Sequence, residues 1–199
     1  DLRGYRLVRA AESARDTLDE LCYSLQWVEK ETETDEAARP SEKRWLVFSD
    51  GGKLATHLSD RLEKDGYEAH VVQPGESFDM KEIGALAGCL HLSSLSATLE
   101  DPAGPLMPLL EMVQQVEKYQ LLPPRLFSVT RRSQAVLPSA DLEVAPEASP
   151  VWGLVRVLST EDPAMHVSMI DIESDGDADL VYRELFCKKS EEVAFREGK

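Results

Sequence analysis

Three observations predict an α/β domain, a doubly wound parallel sheet with helices on both faces. From residue 44 onward strand-like and helix-like segments alternate. The strand-like segments are apolar on both sides, as in sheets covered on both faces. The connections between them are short, which suits right-handed crossovers. No longer-range repeat is visible beyond this alternation.

Taken in order, "LCYSLQWV" (21–28) reads as a strand: short, aromatic-rich and bounded by polar sequence. The charged, aperiodic "EKETETDEAARPSEK" after it reads as an exposed loop. "RWLVFS" is a strand. "KLATHLSDRLEKDG" sets Leu54, Leu58 and Leu62 at i, i+4 and i+8, an amphipathic helix stopped by Gly66. "YEAHVVQPG" is a strand closed by a Pro-Gly turn. "FDMKEIGALAG" is a short helical stretch and "GCLHLSSL" a strand. "GPLMPLLEMVQQVEKYQ" is a longer helix that tolerates Pro108 in its first turn. "PRLFSVT" is a strand. A loop then leads to "PVWGLVRVLSTED", a helix opened by Pro150. "MHVSMIDIE" is a strand, "DADLVYRELFCKK" a helix and "EEVAFREG" a last strand. The whole is Rossmann-like.

At 199 residues the chain holds one sizeable core. Lys and Arg number 22 against 37 Asp and Glu, a net charge of −15. Such a surface repels phosphate backbones, and the densest basic spot, "TRRS", is small, so nucleic acid is not an expected partner. No apolar run reaches the roughly 20 residues of a membrane helix, and "DLRGYRLVRA" lacks a signal-peptide core. A cytoplasmic, non-membrane protein is expected. Cys22, Cys89 and Cys187 lack paired spacing and read as reduced residues, two of them in apolar runs.

The strand "RWLVFS" runs into Asp50-Gly51-Gly52-Lys53, where a dinucleotide domain would carry G-x-G-x-x-G. The two glycines are adjacent, the third is replaced by Ala55, and Asp50 adds charge where a pyrophosphate would sit. The next strand ends in Gln73-Pro74 rather than in a ribose-binding acid. A P-loop fails too, with Val47 and Leu54 where Gly and Ser/Thr are needed. A tight turn needing glycine conformations is therefore expected. The rival reading is a nucleotide site on Gly51, Gly52 and Lys53, with Lys53 meeting a phosphate.

Reductase chemistry would need Tyr-x-x-x-Lys or Tyr-x-x-x-Asn. No tyrosine here has that partner, and the chain contains no Asn. No G-x-S-x-G elbow is present, and His57, His70, His91 and His166 are dispersed. His91, near the end of its strand, is expected to be satisfied by local hydrogen bonds. "DIESDGDADLVY" matches a calcium loop at Asp171, Glu173, Asp175 and Gly176, but Tyr182 stands where the bidentate Glu belongs. An acidic turn favouring a helix N-terminus explains it without metal. No catalytic residue and no metal ligand are expected.

The string "SPVWGLVRVLSTEDPAMHVSMIDIE" resembles the structural subdomain of modular polyketide synthase ketoreductases. That family commonly reads P-V-W-G-L-G-R-V, then an acidic E-x-P, a strand and I-D-L. Pro150, Val151, Trp152, Gly153, Leu154, Arg156, Val157, Glu161, Pro163, Ile170 and Asp171 match, while Val155 replaces the usual glycine. "CYSLQW", the strand-turn-helix-strand from Trp45, "CLHLSSLSA" and "VTRRSQAV" are similar in the same order.

The resemblance implies a truncated Rossmann fold over residues 21–199, with 1–20 as a linker or the end of a preceding domain. It implies a subdomain without cofactor that buttresses a catalytic ketoreductase subdomain. NADPH would belong to that neighbour, an acyl carrier protein to the parent module. The parent would be a polyketide synthase with ketoreductase activity, or one in which a pseudo-ketoreductase accompanies a methyltransferase. Trp152, in a helix apolar on more than one face, stands as an interdomain anchor or as core.

Overall fold

The computed structural model describes residues 2–9, 23–29, 39–136, 144–187 and 192–198, with backbone alone for 2–9 and 23–25. Cys22 and most of the charged loop before Arg39 lie outside the described residues. One eight-stranded sheet runs in the order β2-β1-β8-β7-β6-β5-β3-β4. Six strands are parallel: β3 (Arg44–Phe48), β4 (Glu68–Val72), β5 (Gly88–His91), β6 (Leu126–Arg131), β7 (Val167–Ile172) and β8 (Glu192–Ala194). β1 (Leu2–Arg9) and β2 (Tyr23–Glu29) form an antiparallel pair that joins the sheet through β1 and β8.

Leu2–Arg9 differs from the expected linker over 1–20. It is a strand in register with Tyr23–Glu29 and, at Leu2 and Arg3, with Ala194 and Val193. Its arginines interrupt the apolar run, so its strand character comes from pairing rather than from pattern.

Helices α1 (Lys53–Lys64) and α5 (Ala178–Glu184) cover one face. Leu54, Leu58 and Leu62 are buried there with Trp45, Phe127, Val181 and Phe186. The α1 stop is as expected: Gly66 adopts φ +82°, its N–H reaches Glu63 O, and the Tyr67 N–H reaches Leu62 O. The other face carries α2 (Met80–Ile83), α3 (Met107–Lys118) and α4 (Ser149–Glu161). They pack Met80, Leu109, Met112, Val151, Trp152 and Val155 on Leu46, Phe48 and Met169. Among the described residues no helix is long and apolar enough to cross a membrane.

The chain reverses direction across the sheet between β3 and β5, which makes that gap the switch point where open α/β sheets place ligands. In the full dinucleotide order 3-2-1-4-5-6 a further strand would lie outside β4. Here β4 is the edge among the described residues, so the sheet is truncated on that side.

Candidate functional site

The glycine turn sits at the switch point, directly after β3. Gly51 adopts φ +77°, a conformation that favours glycine. Its N–H donates to Ser49 Oγ at 2.9 Å, and the Gly52 N–H donates to Asp50 Oδ1 at 2.9 Å. These are the amides that would face a phosphate in a dinucleotide domain. A Cβ on Gly52 would stand 2.6 Å from Asp50 Oδ2. The glycine makes room for the protein's own carboxylate, which also sits favourably at the positive end of α1. Lys53, first residue of α1, is exposed. At the end of β4 the Gln73 N–H is taken by Glu76.

His91 ends β5 and is fully buried. Its Nε2 lies 2.7 Å from the Pro105 carbonyl, which can only accept, so the proton is on Nε2. Nδ1 then accepts from Ser128 Oγ at 2.9 Å. Burial pushes its pKa down to about 4. This is the satisfied histidine expected from the sequence, a neutral brace between β5, β6 and the turn before α3. Burial pushes the Cys89 thiol far above its usual range, and Cys187 is also buried. Tyr182 donates to Asp65 Oδ2 at 2.7 Å; burial first, then Asp65, raises its pKa.

The acidic run after β7 is fully engaged. Asp177 Oδ2 accepts from the N–H groups of Glu173 and Ser174 at 2.8 and 3.0 Å, closing a capping box with Ser174. Asp175 pairs with Arg131, and Glu173 lies 3.6 Å from Arg132, so the "TRRS" arginines face carboxylates. Among the described residues no group of three or more His, Cys, Asp and Glu side chains could hold a metal ion.

Asp171 departs from this surface run and turns inward at the end of β7, where it is 0 % exposed. Its Oδ1 accepts from Thr130 Oγ1 (2.6 Å), Ser133 Oγ (2.9 Å) and Ser133 N (2.9 Å). Its Oδ2 accepts from Gln134 N (3.2 Å) and from Arg196 Nη2 (2.5 Å), a guanidinium that is itself buried. Arg196 also donates to the carbonyls of Asp171, Phe195 and Gln134.

Trp152 closes the cluster from α4, its Nε1 donating to Ser133 Oγ at 2.7 Å and Thr130 Oγ1 at 3.0 Å. Each hydroxyl has one proton, and both protons point at Asp171. Their lone pairs are therefore free to receive the indole N–H. Every charged group in the cluster is paired and hydrogen-bonded, the condition under which a buried ion pair is tolerated.

The cluster resolves the choice left open at Trp152. The side chain is 2 % exposed, packs edge-on to Trp27 with centroids 6.4 Å apart, and belongs to the core. Its indole N–H is engaged within the chain rather than at the surface. The sequence reading also missed Thr130 and Ser133 as its partners and Arg196 as the partner of Asp171. The available signal was the joint occurrence of "VTRRSQ", "PVWG" and "MID", three stretches of the family resemblance that meet here.

A family model described as "Polyketide synthase extender module SpnB, Rossmann fold domain" matches residues 25–199. A mycocerosic acid synthase-like polyketide synthase of Mycobacterium tuberculosis is 27% identical over 208 residues, covering 94% of this chain and 10% of that protein. A protein of the same description from Mycolicibacterium smegmatis is 29% identical over 163 residues, covering 77% of this chain and 7% of its own length. The chain thus spans about a tenth of these curated relatives.

Among solved structures, a C2-type ketoreductase from a modular polyketide synthase is similar with TM-score 0.58 and 19% identity, over 99% of this chain and 41% of that one. A multidomain structure with adenylation, ketoreductase and pseudo Asub domains gives TM-score 0.67 and 17% identity, over 83% and 17% of the two chains. At such identities the likeness establishes the fold. An α/β sheet, a glycine turn at its switch point and a family match over most of the chain lead to one assignment: the chain belongs to the Rossmann-fold domain family of polyketide synthase extender modules.

Proposed function

We propose that this domain is a non-catalytic scaffold of the ketoreductase region, without a nucleotide of its own, that packs against a neighbouring domain of the same synthase. The observation that carries this reading is where the polar groups go. The glycine-turn amides are committed to Ser49 and Asp50, and Thr130 and Ser133 of the family-like stretch are committed to Asp171 and Trp152. A phosphate approaching the turn would meet a carboxylate. Any NADPH would then belong to an adjacent catalytic subdomain, with an acyl carrier protein delivering substrate to the module.

With Trp152 inside, the contact surface on α4 falls to its outer stripe: Pro150, Gly153, Val157 and Thr160, all exposed and uncharged. Val157 is 49 % exposed, Leu154 is half-buried beside it, and Met107 at the start of α3 is 59 % exposed. Gly153 has ordinary helical geometry, and a Cβ there would meet nothing within 4 Å. Nothing among the described residues requires glycine at a mid-helix position where it costs about 1 kcal/mol relative to Ala. Close approach by another domain supplies a reason.

Calorimetric titration of the chain with NADPH and NADP at millimolar concentration tests the cofactor half of the reading, and no saturable heat is expected. Saturable heat abolished by Lys53→Ala would establish the rival, a nucleotide site on Gly51, Gly52 and Lys53. The contact half is tested by Val157→Asp, which should leave folding intact and weaken association with the adjoining ketoreductase-region domain.

A further inference from the structure

β8 is only three residues long, yet it is held by an arginine at each end. Glu192, its first residue, forms a bidentate pair with Arg156 of α4 at 2.7 and 2.8 Å. Just past its other end, Arg196 is 3 % exposed and bound to Asp171 through both the carboxylate and the main-chain carbonyl. The Phe195 N–H donates to that same carbonyl at 2.9 Å. On the opposite side of the Asp171 carboxylate, Thr130 and Ser133 pass its hydrogen bonds on to the Trp152 indole of α4. A continuous polar path thus runs from α4 through the loop after β6 to the segment following β8.

We propose that Asp171 is a positioning residue that couples α4 to the last strand. Through it, Trp152 and Arg196 fix the course of the Phe195–Gly198 segment relative to α4. The guanidinium is too buried to be stabilised by solvent, so its place depends on the carboxylate. The carboxylate depends on the two hydroxyls, whose orientation the indole sets. Loosening Trp152 therefore loosens Arg196, although the two residues do not touch. This inference does not depend on a neighbour docking on α4.

Hydrogen exchange of the Phe195 amide in the 199-residue chain tests it, in the unmodified protein, Trp152→Phe, Arg196→Lys and the double variant. Trp152→Phe keeps an aromatic ring while removing the N–H donor and part of the indole's volume, so the loss of packing is judged from the α1 and β3 amides measured beside it. The expected result is a roughly tenfold faster Phe195 exchange in Trp152→Phe, with amides of α1 and β3 unchanged, as for a local opening. The double variant should exchange more slowly than the product of the two single effects. Two results would overturn the proposal: Phe195 exchange within about twofold of the unmodified protein in Trp152→Phe, or an equal acceleration in α1, β3 and Phe195. Should Arg196→Lys fail to fold, Trp152→Phe alone decides between these outcomes.

Discussion

The turn Ser49–Gly52 and the cluster around Asp171 both lie at the carboxyl ends of strands in one sheet, where α/β proteins place ligands. They differ in what surrounds them. The turn is partly exposed and made of short, local contacts, each bond reaching back two residues. The cluster is buried and assembled from β6, β7, α4 and the segment after β8, with partners up to 62 residues apart. The turn keeps the outline of a ligand site while its donors are occupied. The cluster has no such outline and takes Thr130, Trp152 and Asp171 from the family-like stretches. In these three residues the resemblance coincides with internal hydrogen bonding.

The comparison can be broken most forcefully at the cluster. Asp171→Ala leaves a buried guanidinium without its counter-charge and should cost about 3–5 kcal/mol. Urea unfolding measures this, and a loss below about 1 kcal/mol would mean that the cluster is not a stability centre. His91, buried between the two regions, should give the next largest effect. Its folded pKa of about 4 lies below the usual 6.5. The unfolded chain therefore binds the extra proton first as pH falls, so stability is complete above about pH 6.5 and declines toward pH 4. The loss across that window is about 3 kcal/mol from this residue. In His91→Gln the slope of stability against pH between those values should flatten.

At the turn the effects are smaller. Gly52→Ala forces a methyl against Asp50 and should cost about 1–2 kcal/mol. In an Asp50→Ala background that cost should largely vanish, because the glycine serves the carboxylate. A cost that persists in the double variant would assign Gly52 to the backbone turn itself. The smallest expected change is at α4. Gly153→Ala should stabilise the isolated chain by about 0.5–1 kcal/mol, read as a higher melting temperature, while weakening the contact with the neighbouring domain. Stabilisation without weakened contact would remove Gly153 from the proposed surface.

Much of the fold was legible because it is written in local patterns. The leucine stripe of α1, the Gly66 stop and the buried parallel strands all follow from residues close together in sequence. β1 was not legible, since its pairing with β2 lacks a short connecting turn and its arginines break the alternation. Asp171 was grouped with Glu173 and Asp175 in a metal-free acidic turn, because those neighbours really do face the surface. Nothing nearby announces that its own partner stands 25 residues further on. Trp152 could be placed on a helix from sequence but not on a side of it, because the helix is apolar on more than one face. The departure of the glycine turn from a dinucleotide fingerprint was legible from spacing. The contacts of its amides with Ser49 and Asp50 needed coordinates.

The antiparallel register of β1 with β8 sets Leu2 beside Ala194 and Arg3 beside Val193. Entry and exit are thus stitched together at one corner of the domain. The first and last described strands therefore lie side by side in the sheet, so the two ends of the described chain share one edge of the fold. Such an arrangement lets a domain be spliced into a longer chain with little displacement of the parts it separates.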